Sequence, residues 1–294
     1  MSPLPAPSAW AEPLPEAAPP SDMAIYQLPT GTYETRAAFA IRGGSFRDKR
    51  HFAATAILVR HPRGDLLIDA GFGSSVAAHV AALPRLQRAP FRAAKTVSEQ
   101  LDASGYDRSR LLGVLVTHCH WDHVSGIGGL QVPIWMNSGE LRYAAGDPGG
   151  KVFRTVSAGH EIHEYELSGP PYLGFPSSLD VHGDGSLVIV LAGGHTPGSV
   201  VVFVTVPSGN RYAFIGDLTW QLDGIRRRIE RPLLLRKLAD SDPGQVRQGL
   251  LRVIALAGLM QVVPAHDRDA YDGIPRLPAT LAPASAPGAA GSPQ

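Results

Sequence analysis

The order of apolar and polar positions along the chain predicts seven strands. Strand-like runs lie at Ala53–Val59, Asp65–Ile68, Leu111–Thr117, Val132–Met136, Ser186–Leu191, Val200–Val206 and Arg211–Ile215. They are too short for helices and are bounded by turn-forming residues. His61-Pro62-Arg63-Gly64 separates the first two runs, and Pro207-Ser208-Gly209-Asn210 the last two; both have the chemistry of hairpin turns. Helices are predicted over Ser74–Leu83, over Thr96–Ser104 with a Thr96/Glu99 capping box, and over Pro243–Ala257 after Asp242. Strand pairs with interspersed helices imply sheets covered by helices, an α/β or α+β layered domain. The stretch 138–182, with Tyr143, Tyr165 and Tyr172, is poorly patterned, and with 84–96 it reads as binding loops.

Composition narrows this picture. A chain of 294 residues, 44% hydrophobic, is long enough to bury one large core. Lys+Arg of 27 against Asp+Glu of 26 argues against a nucleic-acid partner. The single cysteine, Cys119, excludes a disulfide framework and thiolate clusters, and alternation makes it a small packing residue. No run reaches the roughly 18–20 apolar residues of a membrane span. Of 26 prolines, seven lie in residues 1–22 and five in 275–294. Both ends lack periodicity, so the expectation is a domain over 23–274 between a flexible Pro/Ala-rich head (1–22) and tail (275–294). The head has neither a basic n-region nor an apolar h-region. As written the chain is therefore expected in the cytoplasm, or in the periplasm or tethered to a membrane if a signal segment was removed.

The densest chemistry is Thr117-His118-Cys119-His120-Trp121-Asp122-His123, directly after an apolar run. His118 and His120, two apart on extended chain, point the same way and can reach one ion. Asp122 and His123 follow as the chain turns and can face a second. Nitrogen and oxygen donors without thiolate suit zinc, and also iron or manganese. Three more runs end on a ligand-type residue: His195 in a Gly-rich turn, Asp217 after Ala213–Gly216, and His266 after Val262–Ala265. Their common place at strand ends argues for one shared site.

The order His118-x-His120-x-Asp122-His123, His195, Asp217, His266, with an early Asp69 in Leu67-Ile68-Asp69-Ala70-Gly71, resembles the metallo-β-lactamase-fold hydrolases over about residues 24–272. That resemblance implies a four-layer αββα sandwich with the metals at one edge of its two sheets. It implies two zinc ions, with iron, manganese or cobalt as alternatives. The first would take His118, His120 and His195, and the second Asp122, His123 and His266. Asp217 would bridge both ions, and Asp69 would orient the site from outside the ligand shell. The implied reaction is attack by a metal-bridging hydroxide on an ester, lactone or thioester, with Asp122 taking up the proton as the intermediate collapses.

Within that family, His120 stands where the flavodiiron oxidoreductases carry a carboxylate. Asp217 resembles the bridging residue of the lactonase, glyoxalase II and organophosphate-hydrolase branches, which true β-lactamases lack. N-acyl homoserine lactonases carry a tyrosine three residues after that aspartate, and here the position is Trp220. Trp121 and Trp220 are expected to wall an apolar substrate pocket. A lactonase-like hydrolase is the first reading. The alternatives are a phosphotriester hydrolase, a mononuclear iron persulfide dioxygenase of the same fold, and a non-catalytic binding protein. The partner is expected to be a small molecule, with a homodimer as an option. Arg226-Arg227-Arg228 with Arg231, Arg236 and Lys237 makes a basic segment, read as a solvated face or an anion-attracting one. His51, His61, His79, His160, His163 and His182 have no motif context and read as surface or structural residues.

Overall fold

The computed structural model describes residues 3–281; the part of the expected tail beyond them, 282–294, lies outside the described residues. The strands are β1 (Ala24–Arg36), β2 (Lys49–Arg60), β3 (Asp65–Ile68), β4 (Phe91–Ala93), β5 (Leu111–Leu115), β6 (Ile134–Asn137), β7 (Ile162–Tyr165), β8 (Ser178–Asp180), β9 (Leu187–Leu191), β10 (Val200–Thr205), β11 (Arg211–Phe214) and β12 (Gln261–Val263). They form two sheets, ordered β4-β1-β2-β3-β5-β6-β7 and β12-β11-β10-β9-β8. Both expected hairpins are present: β2 pairs antiparallel with β3, and β10 with β11. From β3 to β7 the first sheet is parallel, and β11 runs parallel to β12.

The helices are α1 (Ala37–Ala40), α2 (Val76–Ala82), α3 (Val97–Ala103), α4 (Trp121–Val124), α5 (Ser138–Gly146), α6 (Lys151–Val156), α7 (Leu222–Arg226), α8 (Leu233–Ala239) and α9 (Pro243–Leu256). The Thr96 hydroxyl accepts from Glu99 N at 3.2 Å and Glu99 accepts from Thr96 N at 2.7 Å, closing the capping box of α3. Asp242 accepts from Gly244 N at 2.8 Å and Gln245 N at 3.1 Å, starting α9 where the sequence places it. Val246, Leu250, Val253 and Leu256 recur at helical spacing and bury one face of α9.

Three cores stack these layers. Ile57, Val59, Leu66 and Ile68 of one sheet meet Ile189, Val202, Val204 and Phe214 of the other. Leu58, Leu67 and Val114 point the opposite way, onto Val97, Leu101 and Phe153 of α3 and α6. Val188, Val190, Val201 and Phe203 face Leu250, Val253 and Leu256 of α9. The result is the expected αββα order, fixed by strands that are apolar on both faces.

Four points depart from the expectations. The stretch 138–182 is not loop but α5, α6, β7 and β8. Their brevity, and polar residues such as His163 and Glu164 in β7, hide the periodicity. Strand β1 escaped prediction because its alternation breaks at a register shift between Pro29 and Gly31. The head is extended but not a flexible appendage. Leu4 is buried, and Trp10 and Leu14 pack on the outer core of the second sheet. Leu4 N donates to Arg228 O at 2.7 Å, Arg211 donates to Pro15 O at 2.8 Å, and Ala18 N donates to Asp184 O at 2.7 Å. One long helix, α9, leaves part of that sheet face to be covered by the head. Proline-rich chain can do this with little entropy left to lose. Of the tail, residues 275–281 also dock: Leu277 N donates to Gln27 O at 3.2 Å and Leu281 N to Ser104 O at 3.1 Å.

Candidate metal centre

Every expected ligand arrives at the same edge of the two sheets, beyond the C-terminal ends of strands. Past β5 the chain stays extended through His120, which then precedes the single turn of α4. His118 and His120 therefore leave on one side, and Asp122 and His123 come round with the helix. His195 sits in the β9–β10 connection, Asp217 follows β11, and His266 follows β12. The glycines before His195 serve α9 rather than an ion. A Cβ on Gly194 would lie 2.6 Å from Val246 N, and Asp242 N donates to Gly194 O at 2.8 Å. Gly194, with φ near +86°, lets the turn press onto the start of that helix.

The side chains converge in three groups: His118, His120 and His195; His118, His123 and Asp217; and Asp122, His123 and His266. His195 Nε2 is 3.0 Å from His120 Nδ1, and Asp217 Oδ2 lies 3.4 Å from His195 Nε2 and 3.8 Å from His118 Nε2. The other oxygen, Oδ1, lies 3.1 Å from His266 Nε2 and 3.4 Å from His123 Nε2. Asp122 Oδ2 is 3.4 Å from His266 Nε2. Asp217 therefore offers one oxygen to each side.

These residues fit metal ions. Tetrahedral bonds of about 2.0–2.1 Å put neighbouring ligand atoms about 3.4 Å apart, the spacing found here. His118 Nε2 is buried with no hydrogen-bond partner among the described residues, a cost that an ion would remove. Burial and the neighbouring imidazoles hold His118 well below its ordinary pKa, and burial brings His120 down to about 3. Both are thus neutral and ready to ligate. On the other side burial opposes protonation, but Asp69 and Asp217 hold His123 well above its ordinary value, and Asp217 and Asp122 raise His266. An ion there would displace protons.

Four of the candidate ligands, His123, His266, His195 and Asp217, are held from behind. Asp69, a non-glycine residue at φ 58°, accepts from Thr117 N and Thr117 Oγ1 at 2.8 Å each and from His123 Nδ1 at 2.7 Å. His266 Nδ1 donates to Ala53 O at 2.8 Å, which turns its Nε2 toward the site. His195 Nδ1 faces Asp240 at 3.0 Å, and Arg231 pairs with the same carboxylate at 3.0 Å. Trp220 Nε1 donates to Asp217 Oδ2 at 2.7 Å, and the Arg231 guanidinium lies 4.6 Å over the Trp220 ring. Trp121 stacks on Phe72 at 5.4 Å, and Phe52 stacks on His266 at 5.3 Å. The two tryptophans thus stand among aromatic rings beside the centre, Trp220 also as a hydrogen-bond donor.

Several residues that surround the candidate site were invisible in the sequence. Tyr33, from β1, donates to Asp122 Oδ2 at 2.8 Å; burial and that carboxylate hold its phenol well above its ordinary pKa, so it stays protonated. Glu140 accepts from Cys119 N at 2.7 Å, Thr196 Oγ1 at 2.6 Å and Gly198 N at 3.2 Å, tying the His118–His123 segment to the His195 turn. Its place three residues after the capping Asn137 reads locally as an ordinary helix-start acid. Of the three loop tyrosines only Tyr143 reaches the site, 3.4 Å from His120 Nε2; Tyr165 is in the inter-sheet core and Tyr172 packs on the outer one. Cys119 is fully buried, as alternation implied. Among the histidines without motif context, His61, His79 and His182 are buried rather than at the surface.

Residues 50–266 match the family described as the Metallo-beta-lactamase superfamily. A probable metallo-hydrolase of Mycobacterium tuberculosis is 28% identical over 234 residues, 73% of this chain and 74% of that protein. An N-acyl homoserine lactonase of Azorhizobium caulinodans is 23% identical over 88% of this chain and 98% of its own. Among solved structures, an N-acyl homoserine lactone hydrolase with N-hexanoyl-L-homoserine at its metal centre superposes with a TM-score of 0.67 at 15% identity, covering 83% of this chain and 93% of that one. The dizinc quorum-quenching lactonase AidC gives 0.55 at 15% identity, over 86% and 90%. At such identities these structures attest the fold.

Proposed function

We propose that this chain, which belongs to the metallo-beta-lactamase superfamily, is a dinuclear metal-dependent hydrolase of lactones or related carboxylic esters. The observation that carries the reading is Asp217, whose two oxygens face two separate clusters of nitrogen donors. His118, His120 and His195 would hold one ion, Asp122, His123 and His266 the other, and Asp217 both. Two such ions would lower the pKa of a water toward ~7 and draw charge from the acyl oxygen.

The remaining steps belong to the chain itself. Asp122 belongs to the second cluster, with Tyr33 donating to its Oδ2, and would take up the proton as the intermediate collapses. Trp220 and Arg231 hold Asp217 and its backbone from the other side. Trp121 and Trp220, partly exposed and backed by the buried rings of Phe72 and Phe52, supply an apolar wall beside the two clusters, suited to an acyl or aryl group. The likeness to lactone hydrolases supports a lactone over a phosphotriester.

Protein loaded with zinc, and separately with manganese, is tested on homoserine lactones, simple lactones, aryl esters, a glutathione thioester and a phosphotriester. Lactone turnover with about two ions per chain is expected. One iron per chain with oxygen-dependent turnover of a persulfide would sink the reading, and fastest turnover of the phosphotriester would move the chain to another branch.

A further inference from the structure

The chain's near-neutral charge conceals a marked segregation. Residues 36–50 and 226–238 carry eleven of its 27 cations and only two of its 26 acids, Asp48 and Glu230. With the flanking Glu34, Asp223 and Asp240 these acids pair six of the cations, which leaves Arg36, Arg47, Arg226, Arg228 and Lys237 without an ion pair among the described residues. Tertiary structure joins the two segments. Glu230 is buried and binds Arg42 at 3.9 Å, Arg236 at 3.0 Å and Arg247 at 2.9 Å, so one carboxylate ties the loop after α1 to α8. Arg42 N also donates to Glu230 O at 3.0 Å.

The same two segments carry five of the nine exposed large apolar side chains among the described residues: Phe39 (44%), Phe46 (69%), Leu233 (62%), Leu234 (69%) and Leu238 (71%). Phe39 and Phe46 meet edge to face at 5.5 Å. Helix α8 is seven residues long and buries none of them. So short a helix has little stability of its own in water and normally relies on a packed apolar face. Leu233, Leu234, Lys237 and Leu238 share one side by helical spacing, while Arg236 is held by Glu230 on another. Arg226 and Lys237 form no ion pair among the described residues, and both are exposed.

We infer that the face built from α8 and the loop after α1 docks on an anionic lipid surface. Leucine and phenylalanine side chains would enter the headgroup–acyl boundary while the surrounding cations meet lipid phosphates. Charge decides between this occupant and a second copy of the chain, because a two-fold contact through this face would set its cations against themselves. Position gives the face a use. Ala40 and Ile41, at the end of α1, pack with Phe52 and against Trp220, and Arg231, two residues before α8, covers the Trp220 ring. The face therefore borders the aromatic side of the candidate metal centre, and an amphiphilic substrate could pass from the lipid toward it.

The test is vesicle co-sedimentation of the full chain, which reads binding whatever the enzyme hydrolyses. Vesicles of phosphatidylglycerol and phosphatidylcholine are expected to bind it, and pure phosphatidylcholine to bind at least tenfold less. Raising salt from 50 to 500 mM should release it. Leu234→Ser/Leu238→Ser should lower binding by about tenfold, and Arg226→Gln/Lys237→Gln by roughly fivefold for each cation. Circular dichroism and the thermal midpoint confirm that both variants are folded. Equal binding to both vesicle types, or none to either, overturns the inference. So does light scattering that shows a dimer which Leu234→Ser/Leu238→Ser converts to monomer, since the face is then covered by a second copy.

Discussion

Replacing Glu140 by Gln changes one atom in a side chain that is 1% exposed. Both carboxylate oxygens act as acceptors, Oε1 toward Cys119 N and Oε2 toward Thr196 Oγ1 and Gly198 N. An amide keeps only one acceptor, so whichever way it turns, an NH2 group faces a buried donor. Losing a hydrogen bond to a charged group costs about 1.5–3 kcal/mol, and an unsatisfied buried donor costs about 1–3 kcal/mol. Burial pushes the Glu140 carboxyl up in pKa, which trims the charged share of that cost. A loss of about 2–4 kcal/mol in folding stability is therefore expected. The damage falls between the two segments that present His118, His120 and His195. Affinity for the ion on that side should drop by roughly 10–100-fold, as for other groups that orient ligands. Urea unfolding of the metal-free protein reads the first effect, and chelator competition with metal analysis reads the second. A Glu140→Gln protein within about 0.5 kcal/mol and twofold of wild type would refute the clamp. Unfolding that is strongly affected while metal affinity is not would show that Glu140 only packs.

Tyr33→Phe removes the donor to Asp122 Oδ2 but keeps the ring among Phe52, Phe72 and Trp121; kcat should fall about tenfold with metal content unchanged, and a matching loss of metal would make Tyr33 part of the ligand scaffold instead. Leu4→Ala should cost about 2–5 kcal/mol by urea midpoint, because the head packs as core; a cost near zero would return it to a flexible appendage. His182 stacks on His61 at 3.7 Å, its Nε2 is buried without a partner, and burial with His61 beside it lowers its pKa from 6.5 to about 4. A histidine depressed in this way binds its proton more readily unfolded, so its share of stability is complete above about 6.5 and is withdrawn as pH falls toward 4. His182→Gln should flatten the fall in urea midpoint between pH 7 and 4.5, and an unchanged slope would refute that assignment.

What could be read from the sequence was whatever is written locally. Buried strands such as β3 and β10 announce themselves because both faces are apolar, and α3 and α9 because their caps lie within three residues of their starts. The seven ligand candidates were legible because metal donors are few in kind and recur at strand ends. Partners supplied from remote chain were not legible. Tyr33 and Asp122 are 89 positions apart, Glu140 and Thr196 are 56 apart, and nothing in either neighbourhood marks the pairing. The head was misread for a related reason: hydrophobic periodicity reports helices and strands, whereas Leu4, Trp10 and Leu14 belong to an extended segment whose partner is a distant sheet face. The basic segment, too, could be counted in the sequence, but only the fold joins it through Glu230 to the loop after α1 and leaves its leucines uncovered. Sequence determined the elements that carry a local signature and the kinds of donor, because both depend on short-range geometry. Tertiary structure decided which donors share an ion, what holds them and which face is left bare, because those depend on where the chain returns.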